Sequence, residues 1–124
     1  MIENSKTLKV CIIMPAYNEA RVIKNVIKDA FEKFKSSSYD FKIVVINDAS
    51  TDDTEIVAKK AGAIVISHIL NSGAGNSTAT GLLYAQQNDF DIAATMDSDG
   101  QHLAIDTARG IDILIKNQDD LLIG

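Results

Sequence analysis

Four short apolar runs, "LKVCIIM", "FKIVVI", "AIVIS" and "DIAATM", recur along the chain, and none keeps one side polar. A strand that is apolar on both sides must be covered on both faces, which is the situation of a parallel sheet packed between helices. The intervening segments supply the helices. From Glu19 onward, Val22, Ile23, Val26, Ile27, Ala30, Phe31 and Phe34 recur at three- and four-residue steps. They make one apolar helix face, with Lys24, Lys28, Lys33 and Lys35 opposite as a solvated one. Ser50 with Asp53 three residues on predicts a helix start, favoured by the acids Asp52, Asp53 and Glu55, and Gly62 predicts its stop. The glycine-rich "NSGAGNSTATG" leads into a helix carrying Leu82, Leu83 and Ala85, and a last helix runs from about Ile105 to Lys116. Strands alternating with helices predict an α/β fold with a doubly wound, mostly parallel sheet.

Composition narrows what such a fold can meet. With 124 residues and 46% hydrophobic content the chain suits one domain with an ordinary core. A net charge of -5 argues against nucleic acid and anionic membranes, which need a basic surface. An anionic ligand would have to be held by a metal ion or by backbone amides. The single Cys11 lies in an apolar run and reads as a buried hydrophobe in a reducing compartment. No apolar stretch reaches the roughly 18 residues of a membrane span, and the N-terminus has no apolar leader segment. The expected location is cytoplasmic. The terminal "LLIG" reads as a fifth strand whose following loop is missing, which predicts a truncated or half domain; length alone fits a complete small domain equally well.

In doubly wound sheets ligands gather beyond the carboxyl ends of the strands. Four segments meet there: "PAYNE", "NDAS", "NSGAG" and "DSDGQ". Asp97 and Asp99 are two residues apart, so on extended backbone they face the same side, about 6–7 Å apart. Two like charges that close are tolerable if fully solvated or if a cation sits between them. Mg²⁺ is commonly held by one or two carboxylates together with substrate phosphates, which suits this pair. Alone, Asp-x-Asp is a weak signal; its place after a buried strand, beside other acidic loops, favours a ligand role.

"PAYNEARVI", "VVINDASTDDT", "NSGAGNSTATGL" and "MDSDGQH" stand in the order and approximate spacing of the inverting family 2 glycosyltransferases. Across nearly all its length the chain resembles the nucleotide-sugar-binding half of that GT-A (Rossmann-like) fold, in its dolichol-phosphate mannosyltransferase-like branch. The resemblance implies that residues 1–124 form the donor-binding part of a transferase domain, with the acceptor-binding part absent. It implies metal-dependent transfer of a sugar from a UDP- or GDP-sugar, with Mg²⁺ or Mn²⁺, to an unknown acceptor, a lipid phosphate or a glycan. A lipid acceptor would bring the protein to the membrane face. Pro15, Ala16, Tyr17 and Glu19 would line the nucleotide pocket, and Asp48 would contact base or ribose. Asp97 and Asp99 would hold the metal, assisted by Gln101. The family's general base lies beyond the Asp-x-Asp, where this sequence has stopped, so no residue here is assigned that role.

The chain departs from the family pattern in two places. "NDAS" stands where Asp-Asp-Gly-Ser is usual, putting Asn47 and Ala49 in the first and third places. Ala74 and Ala79 replace the customary lysine and arginine of the glycine-rich loop, so two cations that could meet phosphate or base are absent. Bland readings stand beside the sharp ones: Tyr17 as packing over the sheet edge, Glu19, Asp52 and Asp53 as helix-start acids, Gly73 and Gly75 as turn residues, and His68 and His102 as lone histidines. The glycines follow the third apolar run, not the first, which argues against a dinucleotide-cofactor dehydrogenase. The "DSDG" follows the fourth, which argues against a phosphatase with an aspartyl nucleophile. A non-enzymatic interaction domain of the same fold is the remaining alternative. An unfinished sheet could also pair its open edge with a second copy.

Overall fold

A computed structural model of the chain describes residues 7–99 and 104–116. The expected fifth strand at 121–124 and the positions Gln101 and His102 lie outside the described residues. The elements alternate as expected: β1 (Lys9–Ala16), α1 (Ile23–Phe34), β2 (Asp40–Asn47), α2 (Thr54–Lys60), β3 (Ile64–Ser67), α3 (Ala74–Gln87), β4 (Ile92–Thr95) and α4 (Ala104–Lys116). The four strands form one sheet in the order β3-β2-β1-β4, and every pairing is parallel.

Because side chains alternate across a strand, β1 and β2 feed two cores. Val10, Ile12, Met14, Ile43 and Val45 face α1, α2 and α4, where Ile27, Phe34, Ala58 and Ile111 are buried. Cys11, Ile13, Val44 and Ile46 point the other way, onto Ala85, Tyr84 and Phe90. Burial pushes the Cys11 thiol up to about 11. It is a core residue, as its sequence context implies.

Three expectations are corrected in detail. The first helix begins at Ile23, not near Glu19. Asn18 adopts a left-handed φ of 54°, and the Glu19 carbonyl accepts the N–H groups of Val22 and Ile23 in a lead-in turn. The second helix starts at Thr54 with Asp53 at its cap, and Ser50 does not cap it; instead Ser50 Oγ accepts the N–H of Asn18 at 2.9 Å. The third begins at Ala74, inside the glycine-rich stretch, so Gly75 is helical and only Gly73, with φ 94°, makes the turn.

The buried face of α3 is made of small residues. Ser77, Gly81 and Ala85 face the sheet, while Leu82 and Leu83 are 49% and 53% exposed. The reason is distance. A Cβ on Gly81 would lie 2.4 Å from Ile13 Cγ2, so the helix sits as close to β1 as a hydrogen at that position permits. Gly62, with φ 102°, follows the Ala61 cap and ends α2, where the sequence put its stop.

Candidate active site

The carboxyl ends of β1, β2 and β4 open onto a cavity of about 370 Å³. Pro15, Ala16, Tyr17 and Glu19 line it from the end of β1, and Asp48 from the end of β2. Thr95, Met96, Asp97, Ser98 and Asp99 line it from β4 and its extension, and Ala74, Ser77 and Thr78 from the start of α3. The seven residues from Pro15 to Asp99 expected at a donor pocket are thus brought to one cavity, although they come from three separate loops.

Two of those loops are locked to each other. Asn18 Oδ1 accepts the N–H of Thr51 at 2.8 Å and of Asp52 at 3.3 Å. In the other direction, the Glu19 N–H donates to Thr54 Oγ1 at 2.9 Å and the Ala20 N–H to Asp52 Oδ2 at 3.2 Å. Asp52 Oδ1 also accepts from the N–H of Thr54 at 3.0 Å and from its hydroxyl. Burial raises the Asp52 carboxyl, but these bonds outweigh it and hold the group below its ordinary value. Asp52 therefore does more than start a helix; it staples "PAYNE" to "NDASTDDT".

Asp48 is the second fastening point. It is only 4% exposed. Oδ1 accepts from Ser72 N–H at 2.9 Å and Ser72 Oγ at 3.0 Å, and lies 2.8 Å from His68 Nδ1; Oδ2 accepts from Gly73 N–H at 2.8 Å. Burial pushes this carboxyl up, yet the donors of His68, Ser72 and Gly73 together bring it from 3.8 down to about 2. On its other side His68 Nε2 lies 2.8 Å from Thr80 Oγ1 of α3. His68 is therefore not a bystander at a strand end. Its partners are 20 and 12 residues away, and no local pattern in the sequence could have announced them. Asn47, in place of the usual acid, bonds through Nδ2 to Ser67 Oγ at 3.0 Å and through Oδ1 to the Ser50 N–H at 3.2 Å. Ala49 pays for its position with a left-handed φ of 62°.

The electrostatics of the cavity are one-sided. Asp97 and Asp99 are exposed at its mouth, and among the described residues no lysine or arginine lines it. Burial, and then the negative charges of Asp99 and Asp52, raise the carboxyl of Glu19 above its ordinary value. Tyr17, 47% exposed, stands at the rim. Among the described residues no three His, Cys, Asp or Glu side chains close into a ready-made metal cage. Two hard carboxylates in an acid-rich cleft fit instead an ion that takes its remaining ligands from water and phosphate, as Mg²⁺ does.

An α/β sheet with such a cleft at its carboxyl edge belongs to the class of folds that bind their ligands beyond the strand ends. Over residues 11–124 the sequence matches Glycosyl transferase family 2, and the chain belongs to that family. The UDP-N-acetylglucosamine–dolichyl-phosphate N-acetylglucosaminyltransferase of Methanococcus voltae is 33% identical over 130 residues, covering 91% of this chain and 50% of that protein. Among solved structures, the glucosyl-3-phosphoglycerate synthase of Mycobacterium tuberculosis with Mn²⁺, UDP and glucosyl-3-phosphoglycerate superposes with a TM-score of 0.60 at 29% identity. That superposition covers 77% of this chain and 34% of the synthase. A mannosyltransferase of Pyrobaculum calidifontis in complex with GDP-Man and Mn²⁺ shares the fold, with a TM-score of 0.64 at 23% identity over 77% of this chain and 28% of that one. The chain thus spans about half the length of the first of these relatives and about a third of the two structures. Among the described residues no helix is long and apolar enough to cross a membrane.

Proposed function

We propose that residues 1–124 are the donor-binding part of a transferase that moves a sugar, with inversion, from a UDP- or GDP-sugar to a lipid-phosphate or glycan acceptor. The observation that carries this reading is the convergence of Pro15, Tyr17, Glu19, Asp48, Asp97 and Asp99 on one cavity that has no basic side chain among its described residues. The dolichyl-phosphate relative and the solved complexes with UDP or GDP-Man and Mn²⁺ support it. Asp97 and Asp99 would hold the divalent ion, with Gln101 as a third oxygen ligand. When bound, Mg²⁺ or Mn²⁺ would neutralise the charge growing on the departing nucleoside diphosphate.

The chain's own residues supply orientation. Tyr17 and Pro15 offer a wall for the nucleoside, and Asp48, fixed by four donors, holds one side of the cleft in a single geometry. Glu19 adds negative charge beside Asp99, which strengthens the preference for a cation over a bare phosphate. The test is turnover by the intact protein: UDP- and GDP-sugars offered with Mn²⁺ and a polyprenyl-phosphate or glycan acceptor, with product followed by mass spectrometry. Transfer that stops on chelation of the metal supports the reading. Transfer that survives chelation, or that is untouched by Asp99→Ala, contradicts it.

A further inference from the structure

We propose that the loop between β3 and α3, through Ile69 and Leu70, is a docking point on a lipid bilayer that sets the donor cleft at the membrane surface. It rests on the lipid-phosphate acceptor proposed above and adds a surface which that reading does not use. From Ala61 to Asn88 there is no Asp, Glu, Lys or Arg, although the chain carries 12 basic and 17 acidic side chains. That stretch holds β3, the loop and all of α3. His68 within it is turned inward onto Asp48 and Thr80. Its outward side is neutral: Leu82 and Leu83 are half exposed, and Asn76, Ala79, Gln86 and Gln87 are exposed beside them.

At the tip of the loop Ile69 is 94% exposed and Leu70 77%. One exposed aliphatic residue is ordinary on a protein surface; two adjacent ones, this far out of the fold, mark a contact. The loop is also fixed on both sides of them, so they are held outward. Before them, the His68 N–H donates to the Asn47 carbonyl at 2.9 Å. After them, Asn71 Nδ2 donates to the Asp48 carbonyl at 3.3 Å, and the N–H groups of Ser72 and Gly73 donate to the Asp48 carboxylate at 2.9 and 2.8 Å.

Position, shape and charge decide the occupant. The loop leaves the carboxyl end of β3 and enters α3, whose Ala74 and Thr78 line the cavity, so Ile69 and Leu70 stand on the edge where the cleft opens. A bilayer that takes up these two side chains holds the cleft beside its headgroups, where the phosphate of a lipid acceptor lies. A stable protein contact spreads over roughly 800 Å² on each side. Two protruding aliphatic side chains suit instead a fluid apolar phase that needs no matching shape. The net charge of -5 turns the rest of the molecule away from anionic surfaces, whereas the uncharged stretch enters an interface without stripping water from an ion. The attraction is therefore apolar, and a bilayer without net charge serves it.

The experiment uses the intact protein and phosphatidylcholine vesicles, with and without added anionic lipid. A polarity-sensitive dye on Leu70→Cys should shift to the blue when vesicles are added. The same dye on Ile56→Cys should not, although Ile56 is 54% exposed, because it stands beside Glu55 among charged neighbours. The double variant Ile69→Ser, Leu70→Ser should bind neutral vesicles at least about tenfold more weakly in flotation, from the aliphatic surface removed. Its melting temperature and its binding of UDP and GDP should be unchanged, while KM for a polyprenyl phosphate embedded in vesicles rises and kcat holds. Anionic lipid should not strengthen wild-type binding, since no basic cluster is involved. A dye at position 70 that stays in water overturns the proposal, and so does a double variant with undiminished vesicle affinity. Self-association that the double variant loses, without any vesicle binding, overturns it too and makes the loop a protein contact. A wild type that docks through Leu70 yet binds neither UDP nor GDP supports the docking loop and removes the donor-binding reading, which separates the two failures.

Discussion

His68 Nδ1 lies 2.8 Å from Oδ1 of Asp48 while His68 Nε2 lies 2.8 Å from Thr80 Oγ1, so one imidazole joins the end of β2 to α3. With Ser72 and Gly73 also bound to Asp48, the loop between β3 and α3 is fastened at a single carboxylate. That carboxylate sets where the start of α3 stands in the cleft.

Acid should undo this fastening. The Asp48 carboxyl is held at about 2 against an ordinary 3.8, a depressed value. Its contribution is therefore fully present above pH 3.8 and is lost as pH falls towards 2. The difference corresponds to roughly 2 kcal/mol. Urea unfolding of the wild type and Asp48→Asn between pH 5 and pH 2 should show the wild type losing about that much more stability than the variant. Parallel curves would contradict the assignment.

Gly81→Ala should destabilise by about 1–3 kcal/mol, the usual range for overpacking. The added Cβ would stand 2.4 Å from Ile13 Cγ2 and 2.9 Å from its Cγ1. Ile13→Ala removes both atoms, so the double variant should lose clearly less than the two single losses combined. Additive losses in chemical denaturation would show that the close approach is not what makes glycine necessary.

Ala49→Gly should stabilise. Ala49 has φ 62°, a conformation that costs an L-residue about 1–2 kcal/mol, against roughly 0.5–1 kcal/mol for the extra freedom of glycine in the unfolded chain. A gain of about 0.5–1 kcal/mol in denaturant midpoint analysis is expected. A loss would mean that the methyl group makes a packing contribution larger than the strain.

Cys11 should be unreactive in the native state. It is 0% exposed and its thiol is pushed up to about 11, so at neutral pH it offers neither access nor thiolate. Aromatic disulfide reagents should titrate one thiol only after denaturant is added. Rapid native labelling would show that the face of the sheet under α3 opens.

The strands were legible because two-sided burial leaves an uninterrupted apolar run: Val10 to Met14 and Ile43 to Ile46 are all essentially buried. The gathering of Pro15, Tyr17, Glu19, Asp48, Asp97 and Asp99 followed from topology, since parallel strands send every such loop to one edge. The buried face of α3 is not legible in the sequence, because its packing is decided by smallness. Leu82 and Leu83 stay exposed, while the small residues Ser77, Gly81 and Ala85 are buried and Gly81 lies directly against Ile13. His68 and Ser72 were discounted or missed for a different reason: both bond to the Asp48 carboxylate, 20 and 24 residues away in sequence. The left-handed backbone at Ala49 was foreshadowed, because a family glycine there marks a conformation that alanine enters only with strain.

The proposed function requires Asp97 and Asp99 to bind a divalent ion through which a nucleoside diphosphate is held. Calorimetric titration of the intact protein with UDP and with GDP, with and without Mn²⁺, tests it most directly beside the Asp97→Asn and Asp99→Asn variants. The expected result is binding of one nucleotide that requires Mn²⁺ and falls at least tenfold, about 1.4 kcal/mol, in either variant while the melting temperature holds. Binding that ignores both the metal and the two aspartates, or no binding of either nucleotide, would contradict the account.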